Sequence, residues 1–341
     1  MSNRLVAVAA LVAVPALAMS AVPPAHAAPP GPQAPAIVGG DPAPDTYRFA
    51  ARLDRADGTP RCSAFVVSDT VAVTAAHCAF PRPTPPGPAA VPPRTVTLLG
   101  RDYVINPAPP GDWALRVGTD LATARAYRPV ALVGADFRWG TPVRDRDPIP
   151  DRLKQNRMND TVALVFPEGT LPGPYLPLLP ARPGATVSVA GYGYTTDPGV
   201  DPATTPPTRL YRAPGTVTAA PGDPANASCT TGAVGDDEFC LTHTPEPRGA
   251  CWGDSGGPIS AVDRRGTPIG IVGWTDRSDV MTCGVGPQIA VAATEHSWVL
   301  LAPRIARLGK GRPPLDCPHG GDCASTPAGD PTTLTAPRAR S

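Results

Sequence analysis

Lysine is almost missing from this chain of 341 residues: only Lys154 and Lys310 occur, and the net charge is +1. Charges of both signs nearly cancel, so no field exists that would gather nucleic acid or an acidic polymer. Aromatic residues are also scarce, at 5 %, whereas there are 49 prolines and 34 glycines. That balance disfavours long helices and favours strands joined by turns. Long apolar runs are absent beyond the N-terminus. The one from Leu5 to Met19 follows Arg4 and is short for a membrane span. Ala25-His26-Ala27 then offers the small residues of a cleavage site, so residues 1–27 read as a signal peptide and the protein is expected to be secreted, extracellular and without a membrane span. Eight cysteines, an even number, fit an oxidising compartment. The preference for Arg over Lys, with much Ala and Pro, reads as the coding bias of a GC-rich genome.

What is present concentrates in Gly249-Ala250-Cys251-Trp252-Gly253-Asp254-Ser255-Gly256-Gly257-Pro258. A serine hydroxyl is a weak nucleophile until a base and an accessible turn activate it. Gly253 and Gly256 allow such a turn and a close substrate approach. Peptide N–H groups freed in it can converge beside the serine oxygen, where an oxyanion would develop. A Gly-rich surface loop is the bland alternative, and the rest of the chain weighs against it.

Along the chain, Phe49 to Leu53, Ser63 to Val73, Thr95 to Leu99, Trp113 to Val117 and Val130 to Val133 have strand character. Phe80 to Arg94 is Pro-rich, neither helix nor central strand, and reads as an exposed loop. Residues 144–157 are charged in both signs and read as a solvated loop. At Asn159-Asp160-Thr161-Val162-Ala163-Leu164-Val165-Phe166 an acid opens an apolar run. A carboxylate there would be desolvated and need a donor, which an imidazole Nδ1–H supplies. Asp136, Asp145, Asp147 and Asp151 compete for the role but stand in polar loops. Of five histidines, His26 lies in the signal, and His243, His296 and His319 have no motif around them. Glu295 to Leu308 carries Trp298, Val299, Leu301, Ile305 and Leu308 near helical spacing, which predicts a C-terminal helix. From Arg312 onward little can be buried, and the tail is expected to be disordered.

Three stretches in this order carry a resemblance: Ile37-Val38-Gly39-Gly40, Thr74-Ala75-Ala76-His77-Cys78 and Gly253-Asp254-Ser255-Gly256-Gly257-Pro258. Together they resemble the trypsin/chymotrypsin serine proteases, in particular a secreted bacterial member. The triad of that family is the standard description of Ser-His-Asp catalysis, and the roles below follow it. The resemblance implies an all-β fold of two antiparallel six-stranded β-barrels, a peptidase domain over residues 37–311, and a short propeptide, residues 28–36. It implies a catalytic triad of His77, Asp160 and Ser255, an oxyanion hole from the Gly253 and Ser255 amides, and a serine endopeptidase acting through an acyl-enzyme. Cleavage after Ala36 would free an Ile37 ammonium to pair with Asp254, so a zymogen and an activating protease are implied. Ala36 departs from the basic residue common there in animal zymogens. Disulfides Cys62–Cys78, Cys229–Cys240 and Cys251–Cys283 follow from the resemblance, and Cys317–Cys323 is what remains. No metal or organic cofactor is called for. The partners expected are a protein or peptide substrate and the activating protease, with the chain a monomer.

For specificity, the resemblance places Gly249 at the pocket base, six residues before Ser255, where trypsin-like cleavage after Arg or Lys needs an Asp. Thr275, after Trp274, and Gln288 align to the pocket walls and should narrow the slot. Gly273 aligns to a serine that supports the triad carboxylate, leaving Asp160 one hydrogen bond short. Small or medium uncharged residues before the cut are therefore expected, unless Asp276 or Asp279 reaches the pocket and restores a basic preference. The alternative class is a catalytically weak or inactive homologue acting as a binding module.

Overall fold

The computed structural model describes residues 37–79, 94–98, 101–106, 112–135, 160–198, 201, 203–220, 238–245, 247–278 and 283–293. All of them lie in one compact unit, residues 34–341. The expected signal peptide, propeptide, Pro-rich insertion, charged loop, C-terminal helix and tail fall outside the described residues, as do Cys229, Asp279, Cys317 and Cys323. Among the described residues helix is limited to a 3-10 turn, Asp45–Tyr47, and a four-residue segment, α1, Ala76–Ala79.

The first half of the chain forms β1 (Asp41–Pro42), β2 (Ala50–Arg55), β3 (Pro60–Val66), β4 (Val71–Thr74), β5 (Arg94–Leu98), β6 (Arg101–Asn106), β7 (Trp113–Val117), β8 (Ala126–Tyr127), β9 (Ala131–Ala135) and β10 (Val162–Val165). All but β1 make one antiparallel sheet in the order β5-β6-β9-β10-β4-β3-β2-β7-β8. β4 and β10 are short, wholly buried apolar runs and lie side by side near the middle of the sheet. Residues without a polar face are tolerated only where both faces are covered.

The second half forms β11 (Thr186–Gly191), β12 (Tyr211–Ala219), β13 (Glu238–Thr242), β14 (Pro258–Val262), β15 (Pro268–Ser278) and β16 (Gln288–Ala292). Their order is β12-β11-β14-β15-β16-β13, and β13 pairs back onto β12, so the six strands close into a barrel; β1 adds to β12 from outside. Along β12 buried residues alternate with more exposed ones, the period expected when one face lines a barrel interior. Val187, Val189, Phe239, Leu241, Ile259 and Val272 fill that interior.

The architecture corrects one expectation. Among the described residues there is one closed six-strand barrel and one half-barrel, not two closed barrels. Closure needs edge strands long enough to pair along their length. The nine-strand sheet ends on β8, two residues long, and on β5, and among the described residues nothing pairs these edges.

A second core fills the seam between the sheets. Tyr47, Phe49, Phe65, Leu115 and Leu164 from the first half pack with Tyr192, Ile271, Trp274 and Val291 from the second. Trp274 is the largest buried side chain, its ring 6.0 Å from that of Phe65. Burying side chains of this size stabilises by about 1.5–3 kcal/mol each, so the seam fixes how the two halves meet.

Candidate active site

β4 and β10 are antiparallel, and Thr74 is the register partner of Val162. The chain leaving β4 and the chain entering β10 therefore emerge at the same end of the sheet. That places His77, on α1, against Asp160. The carboxylate grips the histidine twice: Oδ1 accepts the His77 backbone N–H at 2.8 Å, and Oδ2 meets Nδ1 at 2.7 Å. The Cys62–Cys78 disulfide ties α1 to β3. The imidazole stays partly exposed while Asp160 is almost fully buried. Burial pushes the imidazole pKa down, but the Asp160 charge and hydrogen bond outweigh it and the net shift is upward. For Asp160 burial pushes up. The adjacent imidazolium and the hydrogen bonds it receives outweigh that and hold it well below the usual carboxylate range.

Ser255 sits on the Gly-rich loop between β13 and β14. Gly253 at φ 91° and Gly256 at φ 77° occupy the left-handed region. Space is as restrictive as backbone angle: a Cβ at Gly256 would stand 2.1 Å from Thr74 Oγ1 and 2.6 Å from the Ser63 carbonyl. The serine loop is thus pressed against the segment leading to His77. Ser63 on β3 bridges them. Its backbone N–H donates to the Ser255 carbonyl at 3.0 Å, its hydroxyl donates to the Gly253 carbonyl at 3.0 Å, and it accepts the Tyr192 N–H at 2.8 Å. Among the described residues neither the Gly253 nor the Ser255 amide donates to another protein group.

The Ser255 hydroxyl donates to the Asp276 backbone carbonyl at 3.3 Å, and among the described residues no hydrogen bond joins it to His77. Asp276 stands where β15 carries a bulge: Thr275 pairs Ala290 and Arg277 pairs Ile289, leaving Asp276 as the extra residue. Its side chain reaches the other two groups. Ligating atoms of His77, Asp160 and Asp276 all lie within 4.8 Å of one another. Gly273 is not near Asp160; a Cβ there would meet the Val291 carbonyl and the Phe239 ring inside the barrel.

Asp254, next to the serine, is completely buried. It accepts the Gly193 N–H at 2.7 Å and the Cys251 N–H at 2.9 Å. Burial exceeds what those two bonds return, and its pKa is pushed up to about 7. Ile37 is also fully buried, and Val38 exchanges backbone hydrogen bonds with Gly249 at 3.0 and 3.2 Å. Ile37 holds φ 58°, a left-handed value that is an outlier for a β-branched residue.

A shallow depression beside Gly249, too tight to admit a water molecule, is lined also by His243, Arg248, Ala250, Val285 and Gln288. The Cys251–Cys283 disulfide joins its two walls. Trp274 and Thr275 do not line it: Trp274 fills the seam, and Thr275 is tied to Gly256 and Gly257 by its carbonyl and N–H. His243, which had no motif to mark it, is buried at the pocket base. Its Nδ1 pairs with the Pro214 carbonyl at 2.7 Å and its Nε2 with the Gln288 side chain at 3.0 Å. Cys240 is disulfide-bonded.

The family model described as Trypsin matches residues 159–296, a stretch that holds Asp160 and Ser255 but not His77. No curated protein matches the chain. Among solved structures, neuropsin, a serine protease expressed in the limbic system of mouse brain, is similar with a TM-score of 0.53 at 15 % identity, over 78 % of this chain and 99 % of neuropsin. Human heparin binding protein is 18 % identical with a TM-score of 0.48, over 82 % of this chain and 99 % of that one. The chain has the all-β chymotrypsin-like fold of the trypsin-like serine proteases, with a trypsin domain match over its second part.

Proposed function

We propose that the protein is a secreted serine endopeptidase that cleaves peptide bonds through an acyl-enzyme. The observation that carries this reading is the double grip of Asp160 on His77 beside the Ser255 loop. It leaves the imidazole one tautomer, with Nδ1–H on the carboxylate and Nε2 free to take a proton. Ser255 turns from the Asp276 carbonyl toward His77, gives up its proton and attacks the substrate carbonyl. The free Gly253 and Ser255 amides hold the oxyanion, each such donor contributing about 2.7–4 kcal/mol to the barrier. His77 then protonates the leaving amine, and water completes the cycle.

Activation is part of the proposal. Residues 1–27 direct export and residues 28–36 are released by a cut after Ala36. Two features support it. Asp254 is buried with no cation on it, which the new Ile37 ammonium would supply. Ile37 is strained at its own φ, and the cut removes the carbonyl that defines that torsion. The pocket holds no acidic residue to neutralise Arg or Lys, and His243 with Gln288 closes its base, so small or medium uncharged residues before the cut are favoured. The binding-module alternative is not favoured, because the trypsin domain match and the paired His77 and Asp160 beside the Ser255 loop support chemistry.

A fluorophosphonate probe tests the core of this reading. The chain starting at Ile37 should label, and labelling should vanish in both Ser255→Ala and His77→Ala. Equal labelling of His77→Ala would remove the triad from the explanation. A peptide panel led by Arg or Lys would overturn the specificity.

A further inference from the structure

Four successive carbonyls of the serine turn, those of Trp252, Gly253, Asp254 and Ser255, each accept a hydrogen bond. The Tyr194 N–H donates to Trp252 and the Gly257 N–H to Asp254, both at 2.8 Å. The other two carbonyls belong to one residue of the first sheet. The Ser63 hydroxyl donates to Gly253 and the Ser63 backbone N–H to Ser255, both at 3.0 Å. A trans peptide unit is planar, and its N–H points away from its own carbonyl. With the Trp252 and Asp254 carbonyls held, the Gly253 and Ser255 N–H groups are turned to the opposite side, toward the place proposed for the oxyanion. They stay there only while these two units do not rotate. The first unit is followed, and the second is flanked on both sides, by a unit that Ser63 anchors. At Gly253 no Cβ resists such a rotation, so the anchor matters most there.

We propose that Ser63 is a positioning residue of the oxyanion hole: its hydroxyl fixes the Gly253–Asp254 peptide unit, and through it the direction of both N–H donors. The inference deepens the serine-hydrolase reading and rests on it. Ser63 is completely buried, so it acts through the turn and not on the substrate. Its own orientation is set from several sides. Oγ accepts the Tyr192 N–H at 2.8 Å, which directs the hydroxyl proton to the Gly253 carbonyl. The Ser63 carbonyl accepts the Thr74 hydroxyl at 2.7 Å, on the strand that leads to His77. A Cβ on Gly191 would stand 3.1 Å from Ser63 Oγ, and one on Gly257 3.1 Å from Ser63 Cβ, so the side chain has no room to swing aside. At this burial bulk water cannot replace the hydroxyl. Its removal leaves the Gly253 carbonyl without its donor and lets the unit turn. The hydroxyl is neutral, so its removal changes no charge acting on His77.

Ser63→Ala tests this with and without turnover. The loss of one hydrogen bond is small against the stability of a domain, so the variant keeps its fold. In the full chain, relaxation-dispersion NMR should show microsecond-to-millisecond exchange at the Gly253 and Ser255 amides at least about threefold above that of the parent, with the amides of β11 unchanged. Unchanged exchange at those two amides would overturn the proposal. This readout needs no catalysis, so it decides the role of Ser63 even if the parent fails the probe experiment and the hydrolase reading falls. In the Ile37-started chain, Ser63→Ala should lower kcat about tenfold or more with KM within about twofold. Affinity for a peptidyl trifluoromethyl ketone, whose adduct with Ser255 carries the oxyanion, should fall by the same factor. The His77 imidazole midpoint, followed by NMR titration, should stay within about 0.2 units of the parent. An unchanged kcat, or a loss carried by KM, would equally overturn the proposal.

Discussion

The two sides of the cleft differ in how finished they are. On the histidine side the charges are matched: Asp160 receives two N–H groups from His77, and a disulfide staples the helix that carries them. On the serine side a carboxylate, Asp254, is buried just as deeply with only two amides to hold it and a pKa near 7. The glycines there set the turn, but among the described residues no cation neutralises Asp254. The histidine side has its partners on folding; under the activation proposed above, the serine side would gain its own only after the cut. That contrast fits the proposed activation, with control on the serine turn and the His77–Asp160 pair assembled beforehand.

The largest effect that would break this comparison comes from the reacting groups. Ser255→Ala or His77→Ala should each lower kcat by on the order of 10⁶, by analogy with other triads, with circular dichroism unchanged. Asp254→Asn is next. In the Ile37-started chain it removes one member of a buried pair, about 3–5 kcal/mol, and activity should fall by two to three orders of magnitude. In the uncut chain the same substitution should stabilise at high pH. A carboxyl raised from 3.8 to about 7 contributes stability that is full below the lower value and lost as pH rises through the higher one. The urea midpoint of the uncut protein, measured against Asp254→Asn, should therefore decline between those two values and level off above them. If the two proteins run parallel across that range, the serine side is not waiting for a cation.

Trp274→Ala should cost about 3–5 kcal/mol in thermal unfolding, because its ring fills the seam that both halves share. Ser63→Ala should cost about 1–3 kcal/mol by leaving the Gly253 carbonyl and the Tyr192 N–H without their partner. The smallest effect sharpens the other side. The His77 pKa is raised, so its pairing with Asp160 stabilises fully below 6.5 and fades as pH rises through the higher folded value. Activity requires the neutral imidazole, and the acid limb of kcat/KM should have its midpoint above 6.5.

Much of this site was legible because chemistry restricts the sequence around it. An acid opening an apolar strand, as at Asp160, is too costly to bury without a donor. Glycines at 253 and 256 mark a turn that other residues cannot make. What the sequence hid were the places where geometry departs from regular pairing. Gly273 and Thr275 were placed by their neighbour Trp274, yet the bulge after Thr275 brings the backbone of Asp276 to Ser255. A bulge adds one residue without any compositional mark, so the residue of β15 that would meet Ser255 could not be read from the sequence. His243 was hidden for another reason: its partners, the Pro214 carbonyl and Gln288, are 29 and 45 residues away and come together only when the barrel closes. The open edge of the first sheet was equally unreadable, since closure depends on strand length and not on the motifs.

Ser63 has a mechanical consequence. One side chain from the first sheet grips two points of the second, at Gly253 and Tyr192, and its backbone holds a third at Ser255. Prising the halves apart would tug first on the peptides of the proposed oxyanion hole. Any hinge-like breathing of the cleft is therefore felt immediately as a change in reactivity, and a molecule pulled open even slightly would fall silent before it lost its shape.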